Sequence, residues 1–323
     1  MIINKNLLLN RKGKKTIVYD VFYKANNTPK PIIIFCHGYK GYKDWGAWNL
    51  VAERFAEEGY FFLKFNFSHN GGTVQNPIDF SDLEAFAQNN FSKELGDLEA
   101  VINFISSKNN FEDELNTNAI SLIAHSRGAG IILIKASEEP KIKNVITWAG
   151  VSDFKARFLV GSSHFNDWKE KGIAYIENSR TKQLMPHYFQ FFQDFAANEN
   201  RLTIKLAVQK LNVPLLIVQG SEDPTVIEAE ARLLHKWNPK SELEIIKNGD
   251  HSFGTKHPWK ERELPKKLQN VVEKSIAFLN KGRKESFLVS NSKALSIISI
   301  RFFVFVVLQR KYIYISEFST NYS

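Results

Sequence analysis

The sequence predicts an α/β chain: a doubly wound, mostly parallel sheet with an inserted lid. Three observations predict it. Short apolar runs alternate with longer amphipathic ones along most of the chain. Several of the short runs are apolar almost throughout, as parallel strands covered by helices on both faces are. One interval between two such runs, residues 152–210, is too long for a plain crossover. With 323 residues, 43% of them hydrophobic, the chain can bury one large core. One main domain is expected over residues 1–282, followed by an atypical apolar and basic tail over 283–323.

The first strand is TIVYDVFY (16–23). Ahead of it, MIINKNLLLNRKGKK holds only a three-leucine patch, shorter than the ~7–15 apolar residues of a secretory signal. A single cysteine, Cys36, excludes an intramolecular disulfide, and the expected location is the cytoplasm. PIIIFCHG (31–38) is the next strand; the helix WNLVAERFAEEG (48–59) then hands over at Gly59 to the strand YFFLKFNF (60–67). The helix FSKELGDLEAVINFISSK (91–108) leads into AISLIAHS (119–126), the helix RGAGIILIKASEE (127–139) and the strand VITWAG (145–150). After the long interval come PLLIVQGS (214–221), TVIEAEARLLHKW (225–237), LEIIKN (243–248) and LQNVVEKSIAFLNK (268–281). Crossovers between parallel strands are right-handed, and chemistry collects outside the carboxyl ends of the strands.

Four strand ends belong together. The strand ending at 124 continues as AHSRG, a sharp turn into a helix with small residues, Ala124 and Gly128, two places either side of Ser126. A serine there is also a common helix cap, and glycine is the usual residue at the place of Ala124. QGSEDPTV puts Asp223 after a glycine turn, with Pro224 fixing the turn; a capping role competes with a catalytic one, and Glu222 is its neighbour. Asp153, in WAGVSDF, is the rival acid. NGDHSFG puts His251 on the loop after the last strand, closing a chain order of serine, acid and histidine. HGYKGYKDWG follows the strand 31–36 and offers the N–H of Tyr39 as an oxyanion donor, with the N–H of Arg127 as the second.

On these residues the chain resembles the α/β-hydrolase superfamily. Within it, the chain is similar to dienelactone-hydrolase-like and cinnamoyl (feruloyl) esterase-like serine hydrolases. The resemblance is carried by FCHGYKGYKDWGAWNLVAERFAEEGYFFLKFNFSHNG (35–71), AHSRGAG (124–130), GSEDPTV (220–226) and GDHSFG (249–254). It implies Ser126 as nucleophile, His251 as general base and then acid, and Asp223 as the group that orients the imidazole. Dienelactone hydrolases carry a cysteine nucleophile; serine at that position argues for ester hydrolysis. The expected activity is therefore cleavage of a small-molecule carboxylic ester through an acyl-enzyme. A small acyl-peptide or amide hydrolase of oligopeptidase type, and a non-catalytic or membrane-tethered binding module, are the alternatives.

No His, Cys or carboxylate spacing suggests a metal, and no phosphate loop or dinucleotide fingerprint appears, so no cofactor is expected. The formal charge of +9 is spread rather than clustered, with +4 of it in residues 283–323, which excludes a nucleic-acid footprint. The tail's apolar run, 294–308, is broken by Arg301 and shorter than the ~20 residues of a membrane span; membrane contact through it is not favoured. The lid, 152–210, is rich in aromatics, and IAYIENSRTKQLMP (173–186) reads as a hairpin turning near Asn178 to Lys182. Trp168, Phe189 and Phe192 are the candidates to line a substrate pocket, though such aromatics serve equally as the lid's own small core. His125 is expected to pack or hydrogen-bond, Cys36 to be a buried thiol, and His69 to sit on a loop near the rim of the site.

Overall fold

A computed structural model describes residues 1–26 and 28–281; the tail expected over 283–323 and its apolar run lie outside the described residues. In chain order the strands are β1 (Ile2–Arg11), β2 (Lys14–Tyr23), β3 (Lys30–Cys36), β4 (Phe61–Phe65), β5 (Leu115–His125), β6 (Ile142–Trp148), β7 (Ile173–Glu177), β8 (Leu184–Tyr188), β9 (Leu215–Gly220) and β10 (Glu242–Ile246). Eight of them form one sheet in the order β1-β2-β4-β3-β5-β6-β9-β10, and β7 pairs only with β8. β1 and β2 join antiparallel, as do β2 and β4; every other neighbour in the sheet is parallel.

β1 escaped the sequence reading for a physical reason. It is a half-exposed edge strand whose pairing with β2 shifts register between Asn4 and Leu7, where Asn6 takes a φ of +56°. That irregularity breaks the period-2 pattern that would mark a strand.

The helices are α1 (Trp48–Glu57), α2 (Leu83–Ala87), α3 (Phe91–Ser106), α4 (Arg127–Glu138), α5 (Ser163–Lys171), α6 (Gln190–Ala197), α7 (Glu199–Leu202), α8 (Ile204–Lys210), α9 (Glu228–Trp237) and α10, residues 266–281. They cover both faces of the sheet, as the unbroken apolar strands require. On one face Ile32, Ile34 and Cys36 of β3 share a core with Leu95 and Ile102 of α3, Ile131 of α4 and Val208 of α8. On the other, Phe35 packs against Trp48 of α1 at 5.2 Å and Trp148 of β6 at 5.8 Å, and Trp148 Nε1 donates to Ser275 Oγ at 3.1 Å. The chain divides into a unit of Met1–Ser275, which carries the sheet and the site below, and a second unit beginning at Ile276. Among the described residues no helix is long and apolar enough to cross a membrane.

Between β6 and β9 the chain builds a separate small layer: a short turn of helix at Lys155–Phe158, α5, the β7–β8 hairpin, α6 and α7. The hairpin forms where the sequence places it, its turn closed by hydrogen bonds of 2.8 Å from Asn178 N to Gln183 O and from Lys182 N to Asn178 O. α8, the last part of the 152–210 interval, packs against α4 and α9 and so belongs to the helix layer of the sheet. Side chains tie the inserted segment to the body: Gln190 Nε2 donates to Asn89 O at 2.8 Å, and Tyr188 donates to Glu84 at 2.7 Å.

Candidate active site

Ser126 sits where β5 turns into α4, with φ +56° and ψ −122°, a left-sided conformation that a non-glycine residue adopts only under constraint. The turn is tight enough to bring α4 against the end of β3. A Cβ at Gly128 would stand 2.5 Å from His37 O, so only glycine fits there. Ala124 is fully buried beneath the turn, where its methyl group is accommodated.

Three side chains meet above the sheet. Ser126 Oγ lies 3.0 Å from His251 Nε2, and His251 Nδ1 lies 2.8 Å from Asp223 Oδ2. With a carboxylate as its partner, Nδ1 carries the ring proton, and Nε2 is left to accept from the serine hydroxyl. Asp223 is fixed on every side. Its Oδ1 accepts from the N–H groups of Thr225 (2.8 Å) and Val226 (2.9 Å), and its Oδ2 accepts from Gln219 Nε2 at 3.0 Å. Burial pushes this carboxyl up, but the His251 hydrogen bond and the Val226 and Thr225 N–H groups outweigh it and hold it below the usual carboxylate value. Gln219 was invisible in the sequence, where it reads as one more residue of a strand. Asp153 lies elsewhere: it is exposed, and its Oδ1 caps the next turn by accepting from Lys155 N at 2.7 Å.

The loop after β3 is built around His37. Phe67 N donates to His37 Nε2 at 3.2 Å, so the ring proton is on Nδ1, which donates to Gly38 O at 2.8 Å. Gly41 N donates to the same oxygen at 3.1 Å. Because a trans peptide points its C=O and N–H in opposite directions, fixing Gly38 O also fixes the Tyr39 N–H; Tyr39 and Ser126 both line the cavity beside the turn. The Arg127 N–H is the first amide of α4 and has no carbonyl one turn back to bond. Burial lowers the His37 pKa to about 4, which keeps the ring neutral and this geometry intact.

A cavity of about 360 Å³ opens beside Ser126, lined by Phe91, Phe154, Phe158, Trp168, Phe191 and Val226 among others. Among the described residues no carboxylate lines it; the charged groups there are Arg127 and Arg157. Of the three aromatics considered for a pocket, Trp168 lines this cavity and Phe189 and Phe192 do not. They pack on Phe165, at 5.7 and 4.8 Å, and on each other at 5.5 Å. The reason is helical phase. Phe191 and Phe195 turn toward Phe91 of α3, at 4.7 and 6.3 Å, which leaves Phe189 and Phe192 facing α5. His69 sits on the loop after β4, as read, and lines a separate cavity with Arg11, Lys93 and Asp97. Cys36 is fully buried, and burial pushes its thiol well up, so it is no nucleophile.

A model of the dienelactone hydrolase family matches residues 19–281. The chain belongs to that family. It is a hydrolase, on a fold shared with solved structures of low sequence identity. Est1E from Butyrivibrio proteoclasticus superposes with a TM-score of 0.65 at 17% identity, over 86% of this chain and 98% of that one. A dienelactone hydrolase from Anabaena variabilis gives 0.56 at 14% identity, over 85% and 96%. The Saccharomyces cerevisiae protein YDL057W is 21% identical over 231 residues, 69% of this chain and 68% of that one. As a dienelactone hydrolase family member this chain carries serine, not cysteine, at the turn after β5.

Proposed function

We propose that this hydrolase cleaves carboxylic esters through an acyl-enzyme on Ser126. The observation that carries the reading is the unbroken relay from Ser126 Oγ through His251 to Asp223, at 3.0 and 2.8 Å. A serine hydroxyl is a poor nucleophile until a base takes its proton. In the proposed reaction His251 Nε2 takes that proton as Oγ bonds to the ester carbonyl carbon, and the carbonyl oxygen becomes an oxyanion facing the N–H groups of Tyr39 and Arg127. Collapse expels the alcohol, which leaves with the proton from His251. Water then repeats the sequence on the acyl-enzyme, giving its proton to His251, which returns it to Ser126 as the acid departs. Asp223, ionised because its hydrogen bonds outweigh burial, stabilises the imidazolium in both halves.

The apolar cavity, with the inserted segment as its lid, receives the acyl group. Est1E, of the same fold, has been captured with ferulic acid bound, which accords with an aromatic or similarly bulky acid here. The test is hydrolysis of p-nitrophenyl esters of increasing acyl length, methyl cinnamates and matched anilides, together with fluorophosphonate labelling. Wild type is expected to label and to prefer esters, and Ser126→Ala to lose both properties. Anilide cleavage as fast as ester cleavage would favour an amide substrate. A wild type that neither labels nor turns over would leave only a binding role.

A further inference from the structure

We infer that the inserted segment is part of the oxyanion hole: His187 and Phe191 hold the side chains of Tyr39 and Arg127, whose main-chain N–H groups are the two proposed donors. The inference rests on the acyl-enzyme reading of Ser126 and extends it to two positioning residues outside the sheet.

Four side chains close a ring of contacts. The Tyr39 hydroxyl and His187 Nε2 share a hydrogen bond of 2.7 Å. The Arg127 guanidinium lies 4.8 Å over the Tyr39 ring and 5.8 Å from the Phe191 ring. Phe191 in turn stacks on His187, with ring centres 5.8 Å apart and planes 17° from parallel. Two members of this ring, Tyr39 and Arg127, come from the loop after β3 and the start of α4. The other two, His187 and Phe191, come from β8 and α6 of the inserted segment. Each half therefore fixes the other.

The ring is anchored on both sides. Arg127 pairs with the buried Glu94 of α3, and Trp168 Nε1 donates to His187 O at 2.8 Å, holding the backbone of β8. Burial, and then the Arg127 and Lys40 charges, push the His187 pKa down to about 3, so a neutral imidazole faces the guanidinium at any working pH. Among the described residues His187 Nδ1 is buried without a hydrogen-bond partner, and the Tyr39 bond is the one hydrogen bond of this imidazole. An aromatic pinned at its hydroxyl and stacked on its face has little freedom to move its own N–H. A displacement of about 1 Å at a reacting group costs on the order of 10²-fold in rate.

The experiment uses the full chain with Tyr39→Phe, His187→Phe and the double variant, each normalised to its titrated active serine. Each single variant is expected to lose roughly 10- to 100-fold in kcat with KM nearly unchanged, because an oxyanion donor acts only as charge develops. The double variant is expected to be no slower than the slower single one. Affinity for a trifluoromethyl ketone, whose oxygen occupies the same hole, should fall in the same proportion as kcat/KM. Tyr39→Phe removes one oxygen atom and keeps the ring, so it carries the test if His187→Phe folds poorly. Variants within twofold of wild type in kcat per titrated serine overturn the inference. A wild type with no titratable serine overturns the reading beneath it instead.

Discussion

His125 donates from Nε2 to the main-chain oxygen of His251 at 2.7 Å, and the two imidazole rings stand 4.7 Å apart. The residue before Ser126 thus holds the loop that carries His251, so the first two members of the proposed relay are positioned by adjacent residues of one turn. Burial, followed by the neighbouring His251, lowers the His125 pKa to about 3, which keeps His125 neutral. His125→Phe preserves the packing against Trp48, 5.6 Å away, and removes the donor. The part-buried His251 carbonyl then lacks its partner, at a cost of about 0.5–1.5 kcal/mol. Urea denaturation should show that loss, and kcat should fall further than the stability change explains.

Asp223→Asn separates orientation from charge. The amide cannot hold His251 in the tautomer that accepts from serine, so kcat should fall by roughly 10⁴-fold while the fold persists. The same variant tests a pH dependence. The folded-state pKa of Asp223 lies below its ordinary value, so its stabilising contribution is fully present above the unfolded value of ~3.9 and disappears as pH falls through the lower folded value. Wild type should therefore lose more Tm between pH 6 and pH 3 than Asp223→Asn does. Equal losses would mean that the carboxylate's hydrogen bonds contribute nothing to folding.

At the base of the loop that carries Tyr39, four charges are buried in a square, to which the partly exposed Lys5 adds a contact with Asp44 at 3.1 Å. Lys43 Nζ bonds Asp20 at 2.7 Å and Asp44 at 2.5 Å, while Lys64 Nζ bonds Asp20 at 2.6 Å and Asp44 at 2.8 Å. Removing one member strands a buried charge. Lys64→Met should cost roughly 3–5 kcal/mol, and pairing it with Asp20→Leu should restore much of that, because the Lys43–Asp44 pair stays neutral. Chemical denaturation of the single and double variants decides the matter. A double variant no more stable than the single one would show that the square acts as a whole.

The relay residues were legible because each stands at the carboxyl end of a strand whose apolar run is unmistakable, and because Ser126, Asp223 and His251 fall in one chain order. What the sequence hid is what depends on contacts between distant segments. Asp20, Lys43, Asp44 and Lys64 are separate charges in the sequence and one cluster in the fold. Phe191 and Phe192 are adjacent aromatics, and only the packing of α6 on α3 decides which of them reaches the cavity. The place of Tyr39 after His37-Gly38 suggested the proposed donor role, whereas its hydroxyl bond to His187, far along the chain, left no mark in the sequence.

Gly128 offers the sharpest test of how closely the Ser126 turn and the loop after β3, the proposed nucleophile and oxyanion elements, are fitted. Its would-be Cβ meets His37 O at 2.5 Å and Cys36 O at 3.0 Å, and both are main-chain atoms with no rotamer to relieve the contact. Gly128→Ala must therefore push α4 and the end of β3 apart, at a cost of about 1–3 kcal/mol for an overpacked site. The strain falls on the carbonyl of the very residue whose imidazole fixes Gly38 O, so the Tyr39 N–H is displaced with it. The expected outcome is a folded protein of lowered Tm whose kcat drops at least tenfold per titrated serine, a fall within reach of a sub-ångström shift. Ala124→Gly is the matched control: it deletes a buried methyl group on the same turn without crowding His37, so it should lower Tm and leave kcat close to wild type. If Gly128→Ala turned over as fast as Ala124→Gly, the close approach would serve packing alone.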